Sequence, residues 1–409
     1  MQDKEIKHLI QSEEKRQNET LDLIASENIV SKDVREALGS VFTNKYAEGY
    51  PKERFYRGND VADDLEILVK RRALKLFRLR AKDWDVNVQP YSGSPANLAV
   101  YLALVPTGEK IMGMRLDMGG HLTHGHRVSA TGKLWKQVPY GVDVRTEQLN
   151  YDEIADLAKR ERPRLIVAGY TAYSRFVDFK RMRNIARSVG ALFMVDMAHV
   201  AGLVAGGAYP SPFLHADIVT GTTHKTLRGP RSALIFARME FAEAINKTVF
   251  PGLQGGPHLN QIAAVGVALR EAGTQGFERY AKQVVKNARA LALELQRRDW
   301  RIVSGGTDTH LFLVDTWKRG IGGETASVRL EQIGIITNKN AIPFDSRSPR
   351  DPSGIRLGTP SVTTRGMKEK EMMRLARIIA EGLVETKASE KTRLRKAVQE
   401  LVRAFPIKQ

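Results

Sequence analysis

Apolar positions along this chain change period in a way that sorts it into regions. Residues 3 to about 20 alternate charge with Ile6, Leu9 and Ile10, a spacing that predicts an amphipathic helix. A basic segment further on keeps Ile67, Leu68, Leu74 and Phe77 on a helical period. Residues 86–89 then read as a strand that runs into a Ser- and Gly-rich turn, followed by a helical stretch over 98–104 and a strand over 110–114. From Asp152 helix and strand alternate: helix 154–160, strand 164–168, helix 182–189, and strands 192–195, 218–220 and 233–236. That alternation predicts an α/β large domain whose mostly parallel sheet is covered by helices. Beyond about residue 278 the pattern becomes a long helix, 278–298, and strands at 301–303 and 310–314, which predicts a smaller C-terminal α+β domain. The expected partition is an N-terminal arm over 1–45, a large domain over 46–277 and a small domain over 278–409.

Composition narrows the class. A chain of 409 residues, 42% of them hydrophobic, can bury a large core. No apolar run is long enough to cross a bilayer, and Met1-Gln2-Asp3-Lys4-Glu5 lacks the basic start and apolar core of a signal peptide, so a cytoplasmic protein is expected. Zero cysteines exclude disulfides, thiolate metal sites and a cysteine nucleophile. The 64 basic and 46 acidic residues give a formal charge of +18, which raises nucleic acid or a membrane surface as a partner. The charge is concentrated at Lys70, Arg71, Arg72, Lys75, Arg78, Arg80 and Lys82, and again over residues 387–403, both with helical spacing of apolar residues. Solvated helix faces are the plainer reading, and neither nucleic acid nor membrane is expected as a partner.

Two strand ends carry the candidate chemistry. The apolar run at 218–220 leads into Gly221-Thr222-Thr223-His224-Lys225-Thr226, which places an amine at the carboxyl end of a strand, where open α/β sheets bind ligands. Such a lysine can form a Schiff base with an aldehyde cofactor, or can simply be solvated. The run at 192–195 ends on Asp196, with His199 just beyond; this carboxylate suits the nitrogen of a pyridinium ring, or else caps the next helix. Ser92, Gly93 and Ser94 stand at a helix start, where hydroxyls and free amides form an anion site, although a plain Ser-rich cap is the alternative. Residues 43–56 crowd Tyr46, Glu48, Tyr50 and Tyr56 among glycine and proline, which reads as a loop at a site. His121 follows two glycines and can lie flat against a planar ring, while His124 and His126 complete no zinc spacing, so no metal is expected. Arg356, in a strand, suits bidentate capture of a carboxylate or a structural salt bridge.

Four motifs in one order carry a resemblance: Thr43-Asn44-Lys45-Tyr46-Ala47-Glu48-Gly49-Tyr50-Pro51, Gly119-Gly120-His121-Leu122-Thr123-His124-Gly125, Val195-Asp196-Met197-Ala198-His199-Val200-Ala201-Gly202 and Thr222-Thr223-His224-Lys225-Thr226. From about Leu21 to about Met367 the chain resembles serine hydroxymethyltransferase, a pyridoxal-phosphate enzyme of the aspartate aminotransferase fold type. The resemblance implies transfer of the serine hydroxymethyl carbon to tetrahydrofolate, with Lys225 carrying the cofactor, Asp196 at the ring nitrogen, His121 stacked on the ring and His199 near its phenolic oxygen. It places Thr171 near the ring, Thr223 among the catalytic residues, His224 among the cofactor contacts, and Ser92, Gly93 and Ser94 at the phosphate. Tyr46 at the phosphate, Glu48 at the proton of the substrate hydroxyl, Tyr56 beside the Schiff base, and Gly255 and Gly256 at the phosphate are implied to serve the neighbouring subunit of a homodimer, which can pair further into a tetramer. Ser26 and Arg356 are implied to take the substrate carboxylate, and Leu116, Gly120, Leu122 and Asn340, with Glu48, to surround the pteridine.

The chain also departs from that pattern. Tyr91 and Pro95 replace His and Gln, Phe55 replaces Tyr, Arg57-Gly58-Asn59 replaces Gly-Gly-Cys, and Arg350 stands where Phe is common. Three of these departures lie near the implied pteridine pocket, so a folate-independent aldolase or transaldolase acting on β-hydroxy amino acids stays as the rival. A silent paralogue acting as a scaffold is favoured only by the charge.

Overall fold

A computed structural model describes residues 2–384 and 387–408. The chain divides into two units, Val30–Lys282 and Met1–Ile29 with Gln283–Gln409. The helix Lys4–Glu19 starts where the Asp3 carboxylate accepts from the Glu5 and Ile6 amides, each at 3.0 Å. Its spacing is helical, but none of its residues is buried: Ile6, Leu9 and Ile10 are 47%, 62% and 52% exposed. After it, β1 (Leu21–Asp22) leads to the turn that holds Ser26.

The unit Val30–Lys282 opens with the helix Lys32–Leu38, followed by a small hairpin, β2 (Gly49–Tyr50) and β3 (Glu53–Arg54). It then builds a seven-stranded sheet from β4 (Trp84–Asn87), β5 (Lys110–Met114), β6 (Lys136–Tyr140), β7 (Leu165–Gly169), β8 (Leu192–Asp196), β9 (Ile218–Thr222) and β10 (Ala233–Arg238). The order is β4-β10-β9-β8-β7-β5-β6, parallel throughout except that β10 runs against both of its neighbours. All five residues of β7 are buried, as an apolar strand covered on both faces requires. The helix Gly93–Leu104 lays Ala96, Val100 and Tyr101 on Ile111, Val167 and Ile218 of the sheet. It begins five residues before the apolar run that announced it, with Ser92 extended at the N-cap position and Pro95 accommodated in its first turn. The helix Tyr151–Glu161 likewise starts early, where the Asn150 side chain accepts from the Asp152 and Glu153 amides. In the basic helix Asp60–Leu76, Val69 and Ala73 are buried, Lys70 pairs with Asp85 at 2.8 Å, and Arg71 and Lys75 face solvent.

In the other unit β11 (Arg301–Ile302), β12 (Leu311–Asp315), β14 (Asn338–Asn340) and β15 (Gly354–Gly358) form an antiparallel sheet in the order β11-β12-β15-β14, while β13 (Ile335–Ile336) pairs in parallel with β1. Leu21, Leu295, Phe312, Leu357, Leu375 and Val398 share one core. Each such side chain contributes roughly 1.5–3 kcal/mol by leaving water.

Asp22 strains that core electrostatically. Burial pushes its carboxyl up to about 8, and the neighbouring Glu27 adds to the shift, against the hydrogen bond from the Ile24 amide at 2.8 Å. Below about pH 4 the group is protonated in both folded and unfolded chains. As pH rises toward about 8 only the unfolded chain ionises, so the stability it contributes is full in acid and lost through that window. Asp22→Asn keeps the acceptor oxygen and removes the titration. Thermal melts should show the variant a few degrees more stable at pH 8, with the gap closing toward pH 4; a gap independent of pH would refute this.

Candidate active site

The carboxyl ends of β8 and β9 lie side by side, with Asp196 opposite Thr220 in register, and the site is built out from them. Asp196 Oδ2 accepts from Asn97 Nδ2 at 2.8 Å and from His124 Nε2 at 3.1 Å, and its Oδ1 accepts from the Ala198 amide at 3.0 Å. Burial pushes this carboxyl up, but the hydrogen bonds from His124 and Asn97 outweigh it and hold the group well below the usual carboxylate range. An ionised carboxylate with acceptor capacity left on Oδ1 is what a protonated ring nitrogen requires.

Both amide hydrogens of Asn97 are used in this arrangement. Its oxygen accepts from Thr220 Oγ1 at 2.7 Å, and its nitrogen also donates to Thr123 Oγ1 at 2.8 Å. Thr123 in turn contacts His121 Nδ1 through its hydroxyl at 2.7 Å and its amide at 3.2 Å. The Thr123 amide, as donor to Nδ1, leaves the proton of a neutral His121 ring on Nε2, and the hydroxyl then donates to Nδ1 as well. Burial, with the nearby His124, lowers its pKa to about 4, so the ring is neutral at neutral pH and can lie on a cationic ring without repelling it. Asn97, Thr123 and Thr220 were not singled out in the sequence, and His124 was weighed there only as a metal ligand and set aside. The glycine-rich loop pointed to His121 for the ring, and the bond of His124 to Asp196 became visible only in the fold.

Lys225 lies three residues past β9 in a tightly bonded turn. Thr222 Oγ1 donates to Ala198 O at 3.2 Å and Thr226 Oγ1 to His199 O at 2.9 Å, so the residues on both sides of Lys225 are tied to the segment after Asp196. Thr223 is fully buried and donates to Pro230 O at 2.6 Å, which closes the turn. Arg228 ends it with a left-handed backbone, φ 59°, its guanidinium 4.5 Å from the Tyr280 ring centroid. Burial, then the charges of Lys225 and Arg231, lower His224 to about 3, so this imidazole is neutral too. His199 is buried beside the turn.

The candidate anion cradle is at the start of the helix Gly93–Leu104. The Ser92 hydroxyl makes no capping bond there. Pro95 is the third helical residue and has no amide hydrogen, which leaves the Gly93 and Ser94 amides and two serine hydroxyls as donors. A Cβ on Gly93 would come within 2.8 Å of Thr222 Cγ2, so the helix start and the lysine-bearing turn approach closely only because this residue is glycine. Thr171 donates to Gly120 O at 2.7 Å and braces the loop before His121. Leu116 and Leu122 flank that loop at 37% and 42% exposure, while Gly120 is buried.

A second cluster forms around Glu48. Its Oε1 accepts from the Tyr46 hydroxyl at 2.9 Å, which raises the Tyr46 pKa, and the Tyr46 ring meets Tyr56 edge-on at 5.0 Å. Gly255 and Gly256 lie against Glu48 and Tyr46. Tyr91 donates to Gly256 O at 2.9 Å and stacks on His258 at 4.2 Å, so the replacement of a usual His here adds a hydroxyl that holds the glycine loop.

The remaining candidates belong to the other unit. Arg356 is buried on β15, and its Nε donates to Asn338 Oδ1 at 3.2 Å; burial lowers its pKa to about 10, well above neutral, so it is a cation. The Gly358 amide donates to Leu23 O at 2.8 Å, so the segment leading to half-buried Ser26 runs against the end of the same strand. Asn340, on β14, donates to Ala341 O at 2.6 Å.

Within Val30–Lys282 the residues fit pyridoxal phosphate: an amine for its aldehyde, an ionised carboxylate for its ring nitrogen, a neutral imidazole for its face and a helix start for its phosphate. Comparison with known sequences agrees. The sequence model of a family described as serine hydroxymethyltransferase matches residues 1–379. Proteins named serine hydroxymethyltransferase from Koribacter versatilis (strain Ellin345), Acidobacterium capsulatum and Coprothermobacter proteolyticus are 53%, 52% and 52% identical to this chain. Each alignment covers 99% of the chain, and 95%, 94% and 96% of the respective relative. Likeness at this level along nearly the whole length, over a sheet that brings the lysine and carboxylate motifs together, leaves one conclusion: the chain belongs to the serine hydroxymethyltransferase family.

Proposed function

We propose that this chain transfers the hydroxymethyl carbon of serine to tetrahydrofolate, giving glycine and 5,10-methylenetetrahydrofolate, with pyridoxal phosphate as its cofactor. The observation that carries the reading is the ionised Asp196, held by His124 and Asn97 beside the strand that leads to Lys225. When bound, the cofactor supplies a ring that takes up the electron pair released as the serine Cα–Cβ bond breaks. Asp196 would keep a proton on the ring nitrogen, and His121, neutral, would lie on the ring face. Lys225 would hold the aldehyde carbon, with Thr223, His224, His199 and Thr171 around it. Ser92, Gly93 and Ser94 would orient the phosphate. Arg356, with Ser26, would fix the serine carboxylate and so the bond to be broken, while Glu48 would take the proton of the serine hydroxyl and Tyr56 would stand beside it.

The reading includes a cytoplasmic homodimer with shared sites, able to pair into a tetramer, in which Tyr46, Glu48, Tyr56, Gly255 and Gly256 serve the partner subunit. The open face of the helix Lys4–Glu19 and the exposed Tyr46, Phe55 and Tyr56 support a covered surface. Leu116, Gly120, Leu122 and Asn340 would border the pteridine. No helix among the described residues is long and apolar enough to cross a membrane.

Borohydride reduction of the protein saturated with pyridoxal phosphate, followed by peptide mapping, tests the assignment of the lysine. The adduct is expected on Lys225. An adduct confined to another lysine would overturn the site.

A further inference from the structure

Glu48 sits on a backbone gripped at three successive carbonyls. Arg54 Nη1 donates to Ala47 O at 3.0 Å and to Gly49 O at 2.6 Å, on either side of Glu48, and the Phe55 amide donates to Glu48 O at 3.1 Å. The rest of the guanidinium is anchored on the helix Asp60–Leu76: Nε donates to Asp63 at 2.9 Å and Nη2 to Glu66 at 2.7 Å. All three side chains are out of solvent, at 4%, 7% and 2% exposure. Glu66 also accepts from Gln89 Nε2 at 3.0 Å, and that nitrogen donates to Gly49 O at 3.0 Å. Gly49 has φ +93°, and a Cβ there would stand 2.3 Å from Glu53 O, so this hairpin conformation accepts only glycine at that position. Every constraint converges on the one residue between the two carbonyls.

We propose that Arg54 is a positioning residue for the reaction, fixing through its fork to Ala47 O and Gly49 O where the Glu48 carboxylate meets the substrate hydroxyl. The inference rests on the reading of Glu48 as the group that takes that proton. A lysine at position 54 keeps one charge among Asp63 and Glu66 but lacks the planar fork that reaches two carboxylates and two carbonyls together. A displacement of about 1 Å at a reacting group costs on the order of a hundredfold in rate.

The test is a double-mutant cycle on the full-length protein loaded with cofactor, using Arg54→Lys, Glu48→Gln and the pair, with Glu66→Gln as a milder second perturbation. Arg54→Lys is expected to lower kcat for serine cleavage by roughly ten- to a hundredfold with KM for serine little changed, and to cost almost nothing further in the Glu48→Gln background. Glu66→Gln should show the same dependence on Glu48 with a smaller loss, which keeps the test open should Arg54→Lys fail to fold. Hydrogen exchange at the Phe55 amide, bonded to Glu48 O, should quicken in both Arg54→Lys and Glu66→Gln. Equal losses whether Glu48 is intact or replaced, or unchanged exchange at Phe55, would overturn the proposal, since a merely structural role adds to the loss of Glu48. A Glu48→Gln protein as fast as the unaltered one is a different failure: it removes the role assigned to Glu48 itself.

Discussion

Arg356→Ala should raise the serine concentration needed for half-maximal turnover by a hundredfold or more. Two charge-assisted hydrogen bonds from one guanidinium to a carboxylate are worth about 1.5–3 kcal/mol each, so together they bring roughly 10²- to 10⁴-fold in affinity. Burial makes the group more valuable to an anion, because the charge has already left water within the folded chain and the ligand meets a fixed donor pair. A thermal melt of the variant, run beside the kinetics, separates lost binding from lost folding. Arg356 is the only charged residue of β15, its Nε serves the Asn338 side chain, and the ladder to β12 and β14 is made by backbone. Arg356→Lys should recover only part of the loss, since an ammonium cannot donate in a parallel pair. Steady-state kinetics with serine and, beside it, binding of a serine analogue without the carboxylate check the assignment. A large loss for serine with none for the analogue is expected, and an unchanged KM for serine would remove Arg356 from the substrate site.

What the sequence made legible follows from how each feature is encoded. β7 and β8 are continuous apolar runs because both faces are covered, and they stand out without any partner in view. Lys225 and Asp196 stand at strand ends, which a period change marks. The edge strand β6 was missed because Lys136 and Pro139 face solvent and proline is a poor strand signal. The reversed direction of β10 was not legible either, since nothing in 233–236 encodes direction and the return is set by the bonded turn from Thr223 to Ser232. Strand 301–303 stops at Ile302, where Val303 turns into a short 3-10 segment.

The side chains that tune the site are the least legible part. His124 and Asn97 reach Asp196 across 72 and 99 residues of chain, and Arg54 is recognisable as an anchor only when Asp63, Glu66 and Gln89 surround it. Polar partners of this kind carry no period, so only folding shows them. The helix Lys4–Glu19 makes the opposite point, because its period fixed the element while its burial depends on what covers Ile6, Leu9 and Ile10.

Tetrahydrofolate should accelerate serine cleavage by orders of magnitude, although with weaker binding than the family pattern implies. The departures decide the second half of that statement. Phe55 is 75% exposed and packs on Phe250 at 5.6 Å, without the hydroxyl of a tyrosine. Asn59 is buried, donating to Tyr56 O at 2.9 Å, so it shapes the turn after Tyr56. Arg350 is exposed where an aromatic wall is common, its carbonyl held by Lys339 Nζ at 2.6 Å. A lost aromatic contact costs about 1–3 kcal/mol, roughly ten- to a hundredfold in affinity, which weakens a carrier site without abolishing it. Arg350 and the net charge of +18 would in turn attract the anionic tail of the carrier. Glu48 would take the serine hydroxyl proton whether the released carbon passes to the carrier or leaves as formaldehyde, so dependence on the carrier is what separates the transferase from the aldolase. The most direct measurement is glycine formed from serine with and without tetrahydrofolate, beside cleavage of threonine and phenylserine without it: strong dependence on the carrier and slow cleavage of the bulkier substrates are predicted, whereas equal serine rates in both conditions with fast turnover of threonine or phenylserine would contradict the transferase and establish an aldolase.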